Sequence, residues 1–240
     1  MKLSLPLVAR REVAERTMGF TFDLEGQSFP FKPGQYVQIT QGAPRYQDEK
    51  GSSRSFSIAS SPEDPLLLIA TRLTGSAFKR SLAEVALGTR VGVQGPMGSF
   101  VLPQDATRPL ALVAGGIGIT PFHSMIKMVT EQKLPHRLTL IYSNRTPRDA
   151  PFLKELEVWE AENPNFRLVA TMTALETSST TWQGRRGYVD VHMIREVLAT
   201  PERFLFYVAG PERMVSGVTQ VLTEAGVSQD MVHSDEFPGY

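Results

Sequence analysis

The chain has 240 residues, room for one large domain or two small ones, and its 41% hydrophobic and 21% charged residues are the balance of a soluble globular protein with a real core. Lys+Arg and Asp+Glu stand equal at 25 each, which leaves no basic field for nucleic acid or an anionic membrane surface. With no cysteine, disulfides, thiolate nucleophiles and cysteine-ligated iron–sulfur clusters are excluded from this chain.

The opening apolar run from Leu3 to Ala9 is too short for a membrane span and contains Pro6. Arg10 and Arg11 follow it in place of a small-residue cleavage site, so the expectation is a mature cytoplasmic protein. As far as Leu102 the texture is short strands with punctuation. Strands are expected at 16–24, 34–40, 55–59, 66–70 and 89–94, separated by Gly26, Pro33-Gly34, Gly51, Pro62, Gly88 and Gly95-Pro96. That spacing predicts a small antiparallel barrel or sandwich. One helix fits 76–86, with Phe78, Leu82 and Val85 on a face, and the polar segment from Gln41 to Ser53 reads as a mobile loop.

Two places in this half have chemical character. On a strand, Arg54 and Phe56 share one face and Ser55 and Ser57 the other. A guanidinium there can take a phosphate bidentately while Phe56 offers a flat face to an aromatic ring; a surface Arg beside a core Phe is the plainer alternative. In Thr74-Gly75-Ser76-Ala77-Phe78-Lys79, Gly75 permits close approach and Ser76 is placed to cap the helix and aim its first N–H groups at a second phosphate. An ordinary helix cap explains the same residues.

After Pro109 the pattern changes to apolar strands alternating with helices. The first strand runs into the stretch that organises this half, Leu110 to Pro121: an unbroken apolar run, then Gly115, Gly116 and Gly118, then Thr120 as a helix cap and Pro121 at the first helical position. Strand, glycine turn and helix start make an anion site suited to a dinucleotide pyrophosphate; a tight turn alone is the alternative. Further strands are expected at 138–142, 166–171, 204–208 and 231–237, and helices at 121–133, 149–161, 190–198 and 211–225, ahead of the tail Pro238-Gly239-Tyr240. This alternation predicts a doubly wound parallel sheet with ligands at the carboxyl ends of its strands. There Ser143-Asn144-Arg145, Thr171-Met172-Thr173 and Ala209-Gly210-Pro211 converge with the glycine turn. The expected division is 1–105 and 106–240. The four histidines lack metal-ligand spacing, and no metal is assigned.

These motifs, in this order, resemble the ferredoxin–NADP reductase family over essentially the whole chain. Arg54-Ser55-Phe56-Ser57 is similar to the family's Arg-x-Tyr/Phe-Ser motif, in which the Arg binds the FAD pyrophosphate, the aromatic lies against the isoalloxazine and the Ser hydroxyl sits near flavin N5. Gly75-Ser76-Ala77 matches the segment that completes the pyrophosphate site, and Gly95-Pro96-Met97-Gly98-Ser99-Phe100 the turn that closes the flavin domain. Gly115-Gly116-Ile117-Gly118-Ile119-Thr120-Pro121 matches the nicotinamide-nucleotide loop, and Ala209-Gly210-Pro211 stands where the family usually has Cys-Gly-Pro.

The resemblance implies an FAD-binding antiparallel β-barrel followed by an NAD(P)-binding α/β domain with a doubly wound parallel sheet. It implies a flavoprotein oxidoreductase that takes hydride from NADH or NADPH onto FAD and passes electrons to a separate acceptor: a ferredoxin- or flavodoxin-like carrier, an oxygenase component, free flavin or ferric iron. The implied FAD site is Arg54, Ser55, Phe56, Ser57, Ala70, Thr71, Gly75, Ser76 and Ala77, covered by a tail aromatic, Phe237 or Tyr240. The implied coenzyme site is Gly115, Gly116, Gly118, Ile119, Thr120, Pro121, Ser143, Arg145, Thr171, Thr173, Ala209, Gly210, Pro211 and Met214. Ser57 is the candidate for polarising N5 and Glu236 for proton relay, an exposed terminal carboxylate being the plain reading of Glu236. Arg145 could hold a 2′-phosphate, yet Asn144 to Asp149 also resembles NADH-using relatives of the cytochrome b5 reductase type, which leaves NADH and NADPH both open. A non-catalytic flavin-binding module for redox sensing or docking is the competing class; two intact nucleotide motifs favour the enzyme.

Overall fold

In the computed structural model, which describes residues 1–177 and 180–237, the chain forms two six-stranded sheets in sequence. The tail Pro238-Gly239-Tyr240, including the candidate Tyr240, lies outside the described residues. The first sheet contains β1 (Lys2–Ala14), β2 (Thr17–Asp23), β3 (Tyr36–Thr40), β4 (Ser53–Ser57), β5 (Leu66–Arg72) and β6 (Arg90–Met97), ordered β4-β3-β6-β1-β2-β5 and antiparallel throughout. Ile58 bridges Ile69, and the Ala59 N–H donates to the Leu68 carbonyl at 2.8 Å, so the two ends of the sheet meet and the barrel closes. β1 is the one strand of this sheet not expected from the sequence, as β10 (Arg185–Arg186) is of the second. The apolar run tested there as a membrane or leader segment is a barrel strand: Leu5 and Leu7 are fully buried, and Lys2 to Pro6 pair with Gln94 to Arg90.

α1 (Ala77–Glu84) covers one end of the barrel, with Phe78 and Leu82 buried in the same core as Phe20, Phe22 and Phe56. The segment 41–53, expected to be mobile, is tied to this helix. Gln41 Nε2 donates to the Phe78 carbonyl at 2.9 Å, the Tyr46 N–H donates to Ser81 Oγ at 2.8 Å, and Arg45 and the Tyr46 hydroxyl reach Glu84 at 3.0 and 2.9 Å. The polarity that reads as solvation in the sequence is spent on bonds to the helix.

The second sheet holds β7 (Leu110–Gly115), β8 (Leu138–Asn144), β9 (Phe166–Met172), β10 (Arg185–Arg186), β11 (Leu205–Gly210) and β12 (Val232–Glu236), all parallel, in the order β10-β9-β8-β7-β11-β12. Its helices are α2 (Ile119–Glu131), α3 (Leu153–Glu162), α4 (Val191–Leu198) and α5 (Glu212–Glu224). Leu110, Leu112 and Ala114 pack in one core with residues of α2 and α3, whereas Ala111 and Val113 pack in another with residues of α4 and α5. Covering on both faces is why β7 reads as an unbroken apolar run. α3 starts at Leu153 rather than Asp149: Pro151 disfavours a helical Ala150, which is extended at φ −94 and ψ 94.

The two halves share a core. Ala59 and Ala70 of the barrel pack into the cluster that holds Phe122, Met125 and Trp159. At the joint, His123 is buried with Nδ1 2.7 Å from the Ala59 carbonyl and Nε2 3.0 Å from Glu155, and Ser124 donates to the Ser60 carbonyl at 2.6 Å. Arg11 reaches the other Glu155 oxygen at 2.8 Å. Burial alone would push the Glu155 carboxyl up, but its bonds to His123 and Arg11, with their charges, outweigh that and hold it at about 2.

Candidate functional site

A cleft of about 960 Å³ opens where the halves meet. Its barrel wall comes from β4, the end of β5 and the start of α1; the opposite wall comes from the turn at 117–120 and the end of β12. Of the residues expected to hold flavin, Arg54, Ser55, Phe56, Ser57, Ala70, Thr71, Ser76 and Phe237 all line it.

Arg54 is fixed by its own surroundings. Nη1 donates to the carbonyls of Lys50, Gly51 and Ser53 at 2.7, 2.9 and 2.7 Å, and Nη2 meets Asp48 Oδ1 at 3.1 Å. The guanidinium carbon lies 5.4 Å from the centre of the Phe78 ring, and Phe56 packs 5.8 Å from the same ring, so the alternation placing Arg54 and Phe56 on one face holds. Ser57 is buried and Ser55 exposed. Ser76 occupies the N-cap position of α1 but its hydroxyl makes no cap, and the Ala77 N–H donates to Asp48 Oδ2 at 3.3 Å. Beside Ser76, a Cβ added at Gly75 would meet nothing within 4 Å. Lys79, not assigned from the sequence, stands in the same wall, where burial first and the Arg54 charge second push its ammonium down to about 8. Its position three residues after Ser76, on the face turned to the motif, was the available signal.

Across the cleft the sheet brings the expected loops to one edge. Ala114 stands opposite Ala209, Gly115 opposite Ser143, and Ser143 opposite Thr171. The helix start differs from expectation. A short 3₁₀ turn at Gly116–Gly118 runs straight into α2 at Ile119, so Gly118 is the N-cap and Thr120 lies inside the first turn, donating to the Ile117 carbonyl at 2.7 Å. Pro121 still falls where an N–H has no helical partner, which is why it is tolerated there.

The glycines also divide by role. Gly116 has φ +52, and a Cβ on it would meet nothing within 4 Å. A Cβ on Gly118 would collide with the backbone carbonyl of Ala209, so that glycine serves close packing of the turn on β11 rather than ligand approach. Thr171 is fully buried and its hydroxyl is engaged, donating to the Gly187 carbonyl at 2.8 Å. Thr173 donates back to the Asn144 carbonyl at 3.2 Å, Arg145 is exposed, and Met214 and Pro211 pack against Gly115.

At the end of β12, Glu236, the expected proton relay, lines the cleft with its side chain exposed, and its neighbour Asp235 is half-buried there, where burial pushes its carboxyl up to about 6. Phe237 lines the cleft, packs against the shared core and donates its N–H to the Gly210 carbonyl at 2.9 Å. Among the described residues, no group of His, Cys, Asp and Glu is placed to hold a metal ion, and no helix is long and apolar enough to cross a membrane.

An aromatic and cationic barrel wall facing a glycine turn on a parallel sheet defines a two-domain flavin- and dinucleotide-binding protein. Residues 4–102 match the oxidoreductase FAD-binding domain and residues 112–220 the oxidoreductase NAD-binding domain. The chain is 30% identical over 241 residues to ferredoxin–NADP reductase B of Sorangium cellulosum, covering 96% of each protein. It is 30% identical over 212 residues to the glycine betaine monooxygenase reductase subunit of Chromohalobacter salexigens, covering 87% of this chain and 56% of that one. The flavohem-like FAD/NAD-binding domain of nitric oxide dioxygenase from Vibrio cholerae shares the fold, with a TM-score of 0.85 at 19% identity and 98% of each chain covered. The chain belongs to the ferredoxin–NADP reductase family, with FAD as its cofactor and NAD(P)H as its coenzyme. It spans between 56% and 65% of the length of the first three curated relatives it matches.

Proposed function

We propose that the protein is an electron-transfer flavoenzyme that takes reducing equivalents from NAD(P)H and delivers them to a separate acceptor, such as an oxygenase component or a small electron-carrier protein. The observation that carries this reading is a single cleft walled on one side by Arg54, Lys79 and the start of α1 and on the other by the turn at 117–120. The residues fit FAD: two cations and a helix N-terminus stand together, and Gly75 and Gly116 leave space that any side chain would fill. When bound, the flavin supplies the redox chemistry, accepting a hydride and releasing electrons. The chain supplies the rest. Arg54, Lys79 and the Ala77 N–H hold the pyrophosphate, while Phe56 and Phe237 present aromatic surface to the ring system. Ser57 offers a hydroxyl beside them. Asp235, its carboxyl pushed up to about 6 by burial, keeps a proton available near neutral pH. Gly116 admits the coenzyme.

The acceptor class rests on relatives: the Chromohalobacter protein is the reductase subunit of a monooxygenase, and a Pseudomonas putida relative is the electron transfer component of a toluate dioxygenase. This chain has no cysteine with which to hold an iron–sulfur cluster of its own. We place the division between domains at 1–105 and 106–240, in the stretch between β6 and β7. A cytoplasmic location is part of the same proposal, which reads the first apolar run as folded chain: Lys2 to Pro6 pair with β6 and the strand from Leu7 onward pairs with β2. Mass spectrometry of flavin released from the purified protein tests the reading: FAD is expected, and FMN or no flavin overturns it.

A further inference from the structure

The segment 41–52, a strap against α1, reaches the barrel wall of the cleft with Asp48, Glu49 and Lys50, and Asp48 is the carboxylate that bonds to it. Its Oδ1 accepts from Arg54 Nη2 at 3.1 Å and from the Lys50 N–H at 3.0 Å. Its Oδ2 accepts from the Ala77 N–H, the first of α1, at 3.3 Å. A guanidinium and a helix N-terminus are the two kinds of donor that phosphate oxygens seek, and here one carboxylate bridges both. Three backbone carbonyls, of Lys50, Gly51 and Ser53, take the other guanidinium nitrogen, so the segment binds Arg54 from two sides.

We infer that Asp48 is a built-in phosphate mimic: it occupies the pyrophosphate position of the flavin site, and FAD loads by displacing it. The inference rests on the flavin reading above. Its physical basis is that two anions cannot share one set of donors, and the incoming diphosphate brings more charge than the carboxylate it replaces. The anchors at Gln41, Arg45 and Tyr46 do not involve Asp48, so the strap stays attached to α1 when the carboxylate leaves. In the flavin-free protein the carboxylate neutralises a wall that otherwise sets Arg54 beside Lys79. The strap therefore stabilises the flavin-free form and opposes loading by the same bonds.

The test is titration of the flavin-stripped full chain with FAD, read by flavin fluorescence, together with thermal melting of the stripped protein. The variants are Asp48→Asn, Glu49→Gln as a charge control one residue away, and Arg54→Ala. Removing one charge-assisted contact with a partly exposed partner predicts that Asp48→Asn binds FAD about fivefold more tightly while its flavin-free form melts at a lower temperature. Glu49→Gln should change affinity less than twofold. A merely structural Asp48 would lower both stability and affinity, so unchanged or weaker FAD binding by Asp48→Asn overturns the inference. An equal gain from Glu49→Gln overturns it too, because the effect would then be general charge. If wild type binds FAD and Arg54→Ala binds it equally well, the flavin reading of Arg54 fails along with the inference. If wild type binds no FAD, the flavin reading itself is wrong.

Discussion

The two walls of the cleft are built from different chemistry. The barrel wall works with side chains: Arg54 and Lys79 carry charge, Phe56 gives aromatic surface, and an acidic strap holds the guanidinium in place. The glycine-turn wall carries no charged side chain from Gly115 to Pro121 and depends on tightly packed backbone with one open point, Gly116. The first should fail when atoms are removed, the second when atoms are added. The difference also sorts the glycines, since Gly116 faces open space while Gly118 faces the Ala209 carbonyl.

The sharpest break of that comparison is inside the turn itself. Gly118→Ala forces a Cβ into backbone that cannot move aside, and should cost about 3 kcal/mol in urea unfolding. Gly116→Ala, held at φ +52, should cost only about 1 kcal/mol while raising the coenzyme KM with FAD retained. Equal stability of the two variants would remove the distinction. On the other wall, Arg54→Ala should weaken FAD binding by about 1.5–3 kcal/mol, measured by flavin retention on dialysis, without destabilising the sheet.

Smaller effects come from the joint and from the end of β12. The Glu155 carboxyl is held below its usual 4.5, so its contribution to stability is present above that pH and is lost as pH falls through about 2. Glu155→Gln should flatten the stability-against-pH curve across that window, and an unchanged acid limb would show that the His123 and Arg11 contacts do not couple the halves. Asp235 has the opposite sign. Its carboxyl is raised from 3.8 to about 6, so its cost to stability appears as pH rises through that interval. Asp235→Asn should therefore melt slightly higher than wild type at pH 8, with no difference at pH 3, while slowing coenzyme-dependent turnover.

Most of the fold was legible because its signals are local. Apolar runs and their punctuation located five of the six barrel strands and all four helices of the parallel sheet's half. β1 was passed over because Pro6 and the terminal position draw attention to leader signals, whereas its strand character comes from pairing with β6, distant in sequence. The Thr120 cap differs for a related reason: Thr is a good cap residue, but a preceding 3₁₀ turn moves the helix start to Ile119. Ser76 stands at the N-cap position as expected, without a side-chain cap bond, and a carboxylate distant in sequence bonds the Ala77 N–H. Motif residues on the barrel wall could be named from sequence; Lys79 and Asp235 could not be ranked, because their importance is set by burial. The strap shows the limit most clearly, since nothing in a polar loop announces which of its carboxylates meets an arginine.

The central claim is that one cleft joins a flavin to a nicotinamide coenzyme for electron transfer. Anaerobic rapid mixing of the FAD-loaded protein with NADH and, separately, NADPH tests it directly by following the flavin absorbance. The account predicts bleaching with at least one coenzyme, at a rate that saturates with coenzyme concentration, and a higher half-saturation point in Gly116→Ala with its FAD still bound. Flavin that remains oxidised with both coenzymes would contradict it.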